Sequence, residues 1–388
     1  MSAKGENIYI PGKALLRDEV LTQPIAWYRT MRTNYPIHYH PEFNLWEVFT
    51  YAEVQRVLTD YKTFSSAFTP TNAMLRPSLV HLDPPAHRQL RNLVAYTFTQ
   101  RSVASLAPRI ATIVHELLDK VACKNGMDVI NDLAYPLPVR VIAEMLGVPS
   151  EDHAKFKRWS DEVLAGAGDT APKPHREMDQ YFCEMLERRQ KEPRNDLISE
   201  LLAARIGGER LTRDQVLGFC MILLVAGNIT TTHLIGNAIL CFDEHPEVIA
   251  QLHRNPALIP HAIEEVMRYR SSVRLMTRVA TRDTELLGRE IKAGQMVVPW
   301  IASANLDEQQ FPNADIFDIT RSPHDHIAFG YGIHFCLGAP LARLETRIAL
   351  EAMLAQFPTM RRTRAIPLEP FPSLILNGVK QLQITFRP

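Results

Sequence analysis

Most of this chain carries its hydrophobic residues at helical spacing. Residues 102–122, 138–146, 176–191 and 197–205 repeat apolar side chains three and four positions apart, the pattern of helices with one buried face. Strand-like runs are short. Residues 45–50 (LWEVFT) and 296–301 (MVVPWI) predict strands, the second paired with residues 285–287 across a glycine turn. The 27 prolines mark helix boundaries.

One segment departs from the one-faced pattern. Residues 213–242 hold no proline and are apolar on every face at their centre. This predicts a single helix about 45 Å long, buried on all sides. Its middle, Ala226-Gly227-Asn228-Ile229-Thr230-Thr231-Thr232, breaks the apolar run with small and hydroxylated residues. They open space on one face and bring hydrogen-bonding groups into an apolar core, so something polar is handled there.

Many helices with a few small sheets, no repeat and no Gly/Ser linker predict one large, mainly α domain over residues 1–388. Residues 166–174 (GAGDTAPKP) read as a mobile loop between helices rather than a boundary. Composition changes this picture little: 46% hydrophobic, 22% charged, with 43 basic and 43 acidic side chains. That balance predicts no nucleic-acid or membrane-surface partner. Residues 1–16 are polar and interrupted by Pro11, without the apolar core of a signal peptide. The most apolar run, 216–226, is far shorter than the roughly 20 residues a membrane span needs. Five widely spaced cysteines without a CxxC pair predict neither a disulfide framework nor a zinc site. A soluble protein of the reducing cytoplasm is expected.

The strongest chemical signal is Phe329-Gly330-Tyr331-Gly332-Ile333-His334-Phe335-Cys336-Leu337-Gly338-Ala339-Pro340. Its glycines let the backbone turn tightly and approach a flat ligand. Residues 341–357 then have helical spacing, with Pro340 suited to a first turn, so Cys336 stands near a helix N-terminus. Backbone N–H groups there stabilise a thiolate, and a thiolate can ligate iron. The other four cysteines read as buried structural residues.

Phe329-x-x-Gly332-x-x-x-Cys336-x-Gly338 resembles the haem-binding loop of the cytochrome P-450 superfamily in its soluble bacterial form, and the resemblance runs from about Pro36 to the C-terminus. It implies a triangular-prism helical fold that holds haem b (iron protoporphyrin IX) with Cys336 as the axial ligand of the iron. It implies a monooxygenase that inserts one atom of O2 into a C–H bond. Glu265-x-x-Arg268 matches the family's structural pair, whose usual third partner is an arginine; Ile316 stands at the matching place. His87 and Arg91, Arg278 and His334 match the residues that hold the haem propionates. Ala226, Gly227 and Thr230 match the family's oxygen-handling pattern, in which Thr230 helps protonate the distal oxygen. The family's acid is replaced by Ile229, leaving Asn228, a water chain or a substrate hydroxyl to relay protons.

The pocket is expected from residues 74–79, the long helix near Ala226, residues 273–276 and the turn at 374–376, with Leu75, Ala226, Val273 and Leu376 against substrate. Apart from Arg76, Ser78 and Arg274 these are apolar. A lipophilic small-molecule substrate fits them: a terpenoid, steroid, fatty acid or macrolide. Arg76 or Arg274 would hold a carboxylate. No flavin or nicotinamide domain is visible, so the resemblance implies an external ferredoxin or flavodoxin with its reductase. It would dock on a basic patch of Arg343, Arg347, Arg361, Arg362 and Arg364. A peroxide-driven peroxygenase and a non-enzymatic haem gas-binding protein are the alternatives. The pairs His38/His40 and His324/His326 lack a third ligand at zinc spacing and are read as packing.

Overall fold

The computed structural model describes residues 21, 24–67, 79–156, 158–159, 173–206, 209–322 and 324–386. Leu75, Arg76 and Ser78 lie outside them, as do residues 166–172 of the expected loop; by residue 173 the chain is already helical. The principal helices are α1 (Pro24–Asn34), α2 (Tyr51–Thr59), α3 (Ala86–Val94), α4 (Ala107–Ala122), α5 (Pro136–Met145), α6 (Lys173–Lys191), α7 (Arg213–Glu244), α8 (Ile259–Tyr269) and α9 (Ala339–Gln356).

Helix α7 is the predicted central helix. Its start is fixed by a reciprocal cap in which the Thr212 side chain accepts from the Gln215 N–H and the Gln215 side chain accepts from the Thr212 N–H. By length and apolarity it would cross a bilayer, but it is mostly buried inside the protein, packed against α5, α8 and α9. The small residue Gly227 serves this packing: a Cβ there would stand 3.0 Å from the Ile142 side chain of α5. The helix expected over 102–122 is divided, with a short helix at Gln100–Ala104 and a turn before α4. Pro108, which lacks an N–H, sits in the first turn of α4 and ends the continuity.

The main sheet runs in the order β1 (Ile37–His40), β2 (Leu45–Val48), β5 (Met296–Pro299), β4 (Arg278–Ala280) and β3 (Phe64–Ser65). Within it β5 is parallel to β2 and antiparallel to β4. The expected pairing of 296–301 with 285–287 is therefore corrected. Residues Thr284–Leu286 instead pair with Arg289–Ile291 through a tight turn in which Leu287 (φ 50°) and Gly288 (φ 72°) are left-handed. All four residues of β5 are buried, which fits a strand flanked on both edges. The largest apolar cluster lies among the helices; two smaller ones lie against the sheet.

Candidate active site

The cysteine loop is shaped by backbone contacts before any side chain matters. Gly330 N–H donates to Ile327 O (2.8 Å) and Cys336 N–H to Phe329 O (2.8 Å), closing the loop on itself. Gly332 adopts φ 69°, and a Cβ there would lie 3.1 Å from the Leu58 carbonyl of α2. Any other residue would be strained and crowded at once.

Past the loop α9 begins, with Pro340 in its first turn. The Cys336 sulfur accepts from the N–H groups of Gly338 and Ala339. Burial pushes this thiol up, while those two N–H groups and the charges of Arg91 and Arg343 pull it down. Burial outweighs them, and the two N–H groups are the donors that a metal-bound thiolate would use. A side chain at Gly338 would meet nothing within 4 Å, which leaves a clear space beside the sulfur.

The loop is braced to α8 by Glu264, which accepts two bonds from Arg343 (2.6 and 2.8 Å) and contacts His326 at 3.1 Å. Although burial opposes it, these partners bring Glu264 down to about 2. Arg343 also lies 4.5 Å from the Phe329 ring. The pair His324/His326 is explained by packing, with His326 on Glu264 and His324 against His261 at 3.3 Å.

Beside the sulfur four cationic or ionisable groups converge. Arg91 on α3 donates to the Phe335 carbonyl at 2.6 Å. His87, one turn earlier, packs on His334 with ring centroids 4.4 Å apart. Arg278 on β4 is buried, and burial lowers it to about 10. Burial lowers His334 to about 3, reinforced by Arg278, His87 and Arg91. The Nε2 atoms of both histidines are buried without a hydrogen-bond partner, that of His334 lying 4.0 Å from the Asp83 carboxylate. Buried ring nitrogens left unpaired beside two arginines are costly unless a further hydrogen-bonding group completes them. The carboxylates of a porphyrin are such groups, so these residues and the open cradle at Gly338 fit haem.

On α7, Ala226 is exposed and Gly227 and Thr230 are half-buried, while Asn228, Ile229, Thr231 and Thr232 are buried. The Thr230 hydroxyl donates to the Ala226 carbonyl at 3.0 Å, the helix back-bonding expected of a mid-helix threonine. The oxygen remains free to accept. Asn228 is a correction. It is fully buried, its Nδ2 donates to Leu224 O at 2.7 Å, and two residues turn it about 200° away from Thr230. Its Oδ1 is buried without a hydrogen-bond partner, on a different face of α7 from Thr230. Ile229, at the acid's place, is also buried.

Val273 and Leu376 face each other across an isolated antiparallel bridge, so two of the expected substrate-contacting residues are brought together. Arg274 is the second correction. Its guanidinium is buried, and its terminal nitrogens bond to Ser373 O (2.7 Å), Leu376 O and Asn377 Oδ1 (2.9 Å) rather than standing free for a substrate carboxylate.

Glu265 and Arg268 form a fully buried bidentate pair at 2.7 and 2.8 Å. The third partner is Arg321, 3.3 Å from Glu265, and it also bonds to carbonyls of Pro312, Asn313 and Ile316. Ile316 takes part only through its carbonyl, which receives Arg268 as well (3.1 Å). Inspection of position 316 alone missed Arg321, because the loop brings in a residue five further on.

The expected basic patch is largely compensated: Arg343 pairs with Glu264, Arg347 with Glu351, and Arg362 and Arg364 with Asp243.

A cysteine cradled by helix-start N–H groups, beside buried ring nitrogens without hydrogen-bond partners, is the arrangement of a thiolate-ligated haem enzyme. The comparisons agree. The Cytochrome P450 family profile matches residues 139–386. The chain is 43% identical over 392 residues to Cytochrome P450 109 of Bacillus spizizenii, covering 97% of this chain and 96% of that one. It is 39% identical over 362 residues to the erythromycin C-12 hydroxylase of Saccharopolyspora erythraea, covering 90% and 89%. The crystal structure of CYP109E1 from Bacillus megaterium in complex with testosterone superposes with TM-score 0.89 at 39% identity, covering 96% and 100%. The chain belongs to the cytochrome P450 family, and it is a haem-dependent monooxygenase.

Proposed function

We propose that residues 1–388 form one cytoplasmic domain that hydroxylates a lipophilic small molecule, with haem b as its cofactor and Cys336 as axial ligand. The observation that carries this reading is the sulfur of Cys336 accepting from the Gly338 and Ala339 N–H groups at the start of α9. When bound, haem supplies the activation of O2 that puts one oxygen atom into a substrate C–H bond and releases the other as water.

The chain's own residues do the rest. His87, Arg91, Arg278 and His334 would hold the propionates, which would give the unpartnered Nε2 atoms of the two histidines a hydrogen-bonding partner. Thr230, with its proton committed to Ala226 O, accepts a hydrogen bond from a water on the pocket face of α7. With Ile229 in the acid's place, that water is supplied by a water chain or a substrate hydroxyl. Ala226, Val273 and Leu376, with Leu75, surround the substrate, and the only cation described in this wall, Arg274, is turned away from it. That supports a neutral lipophilic substrate. The solved complex of CYP109E1 with testosterone and the macrolide named for the erythromycin hydroxylase point to steroid- or macrolide-sized molecules.

Electrons come from an external ferredoxin or flavodoxin with its reductase. The lost acid favours a second reading, peroxide-driven oxygenation. The two separate on whether the peroxide-driven rate exceeds the reductase-driven one.

The test is the reduced carbon monoxide difference spectrum of the protein and of Cys336→Ala. A strongly red-shifted Soret band, absent from the variant, is expected, followed by spin-state shifts with lipophilic compounds. A band at the position of histidine-ligated haem in the parent would refute the assignment of Cys336.

A further inference from the structure

The turn at residues 373–377 carries Leu376 into its bridge with Val273, and it is bolted from behind by an unusual device. Arg274 is 1% exposed, and no carboxylate among the described residues is paired with it. Burial accordingly lowers its affinity for the proton. Its terminal nitrogens donate to the turn itself, at Ser373 O, Leu376 O and Asn377 Oδ1, while the Tyr28 hydroxyl also faces the guanidinium and Nε has no hydrogen-bond partner. Its backbone N–H donates to Ile375 O at 2.7 Å.

Two further contacts complete the bolt. Asn377 N–H donates to Ser272 O at 2.8 Å. The side chain of Asn237, on α7, donates to the carbonyls of both Arg270 and Asn377 at 3.0 Å. Within the turn, Leu376 N–H donates to Ser373 Oγ at 3.0 Å. The turn is thus tied to the segment bearing Val273 and to the helix bearing Thr230.

A buried guanidinium without a counterion is expensive, and its planar fork meets several acceptors that no neutral side chain can reach together. Such an expense fits a part whose shape matters. We propose that Arg274 is a positioning residue that fixes the wall formed by Leu376 and Val273, and so sets which ligand shapes the pocket admits, without touching the ligand. This rests on the haem-thiolate pocket reading above. A rigid wall rejects bulk that a loose one would yield to.

The test reads pocket shape directly, without turnover or knowledge of the substrate. Spectral dissociation constants are measured for 4-phenylimidazole and for the much bulkier clotrimazole, both of which ligate haem iron through an imidazole. The proteins are the haem-loaded parent, Arg274→Met, Arg274→Lys and Asn377→Ala, each first checked by its carbon monoxide spectrum. A parent without the red-shifted band would sink the haem-thiolate reading itself, independently of Arg274.

With that band present, Arg274→Met is expected to lower the ratio of the bulky to the small dissociation constant by about tenfold. Lysine, a point charge that cannot span the acceptors, is expected not to rescue it. Asn377→Ala, which removes one acceptor and leaves the guanidinium in place, is expected to shift the ratio by a smaller factor in the same direction. It decides the matter alone if Arg274→Met fails to load haem. A ratio within twofold of the parent in every loadable variant overturns the proposal, as does full rescue by lysine.

Discussion

Replacing Glu265 with glutamine isolates the charge of the buried cluster behind the haem site. Shape is conserved, and the amide oxygen can still accept from the Asp318 N–H, now at 3.0 Å. What is lost is the anion facing two guanidiniums, Arg268 with a side chain 1% exposed and Arg321 at 11%. Breaking a buried pair by removing one charge costs about 3–5 kcal/mol. Arg268 keeps three carbonyl partners, Asn305 at 3.0 Å, Ala314 at 2.8 Å and Ile316 at 3.1 Å, which places the cost at the lower end, about 3 kcal/mol. Against a total stability of about 5–15 kcal/mol this is large.

Arg321→Met is the informative companion. It removes the long contact to Glu265 and three carbonyl bonds that water can partly replace, so about 1–2 kcal/mol is expected. The double variant should cost less than the sum by about 1–2 kcal/mol, because the orphaned Arg321 charge is then gone. The assay is urea unfolding of haem-loaded protein followed by far-ultraviolet dichroism and by the Soret band. Only coincident transitions license a two-state free energy. A Glu265→Gln cost below about 1 kcal/mol, or strict additivity, would refute the account of a charge-dependent triad.

Thr230→Ala is expected to raise peroxide released per electron consumed, read by a peroxide assay with any compound that shifts the spin state; unchanged coupling removes Thr230 from the mechanism. Because Arg343, Arg347, Arg362 and Arg364 are paired with acids, reduction by a ferredoxin should slow less than about threefold between roughly 0.05 and 0.5 M salt; a tenfold loss would restore the free basic patch. His233, on α7, is 2% exposed and is lowered to about 4, chiefly by burial and secondarily by Arg274. Its folded value lies below the ordinary 6.5, so the unfolded chain takes the proton first and stability falls as pH drops from about 6.5 to about 4, by up to about 3 kcal/mol. His233→Gln should flatten that slope relative to the parent in urea midpoints; an identical slope counts against it.

How much of this was legible in the sequence depended on how local the chemistry is. The cysteine loop was readable because its constraints lie within a few residues: glycines where the backbone turns, a proline in the first turn of α9, a sulfur just before it. The long helix was readable because thirty residues without proline and apolar all round have one stable answer. The fate of Arg274 was not, since its partners lie about a hundred residues away. One local clue pointed the right way, because Val273 and Arg274 are consecutive in an extended segment and must face opposite sides. A pocket-facing Val273 therefore implies an Arg274 turned behind the wall. The same reasoning applied to α7 separates Asn228 from Thr230 by more than half a turn. Arg321 offered no such clue. Its role depends on how a loop folds back on Glu265, and loop geometry is set by carbonyls whose directions no residue type announces.

Going along α7, His233 is three residues past Thr230 and four past Ile229, so it shares the side of the helix that both help to form. Both of its ring nitrogens are buried without a partner, and a Cβ on Gly378 would collide with the ring at 2.0 Å. The glycine thus makes room for an imidazole that burial keeps neutral. A neutral ring pressed against backbone and the Phe371 ring, 4.8 Å away, has no route to solvent protons of its own. It is therefore poorly placed to inherit the role of the acid that Ile229 displaced. On the proposed role of Thr230, its protons would come from water or from the substrate, and coupling should vary with the substrate more than in a relative that keeps the acid.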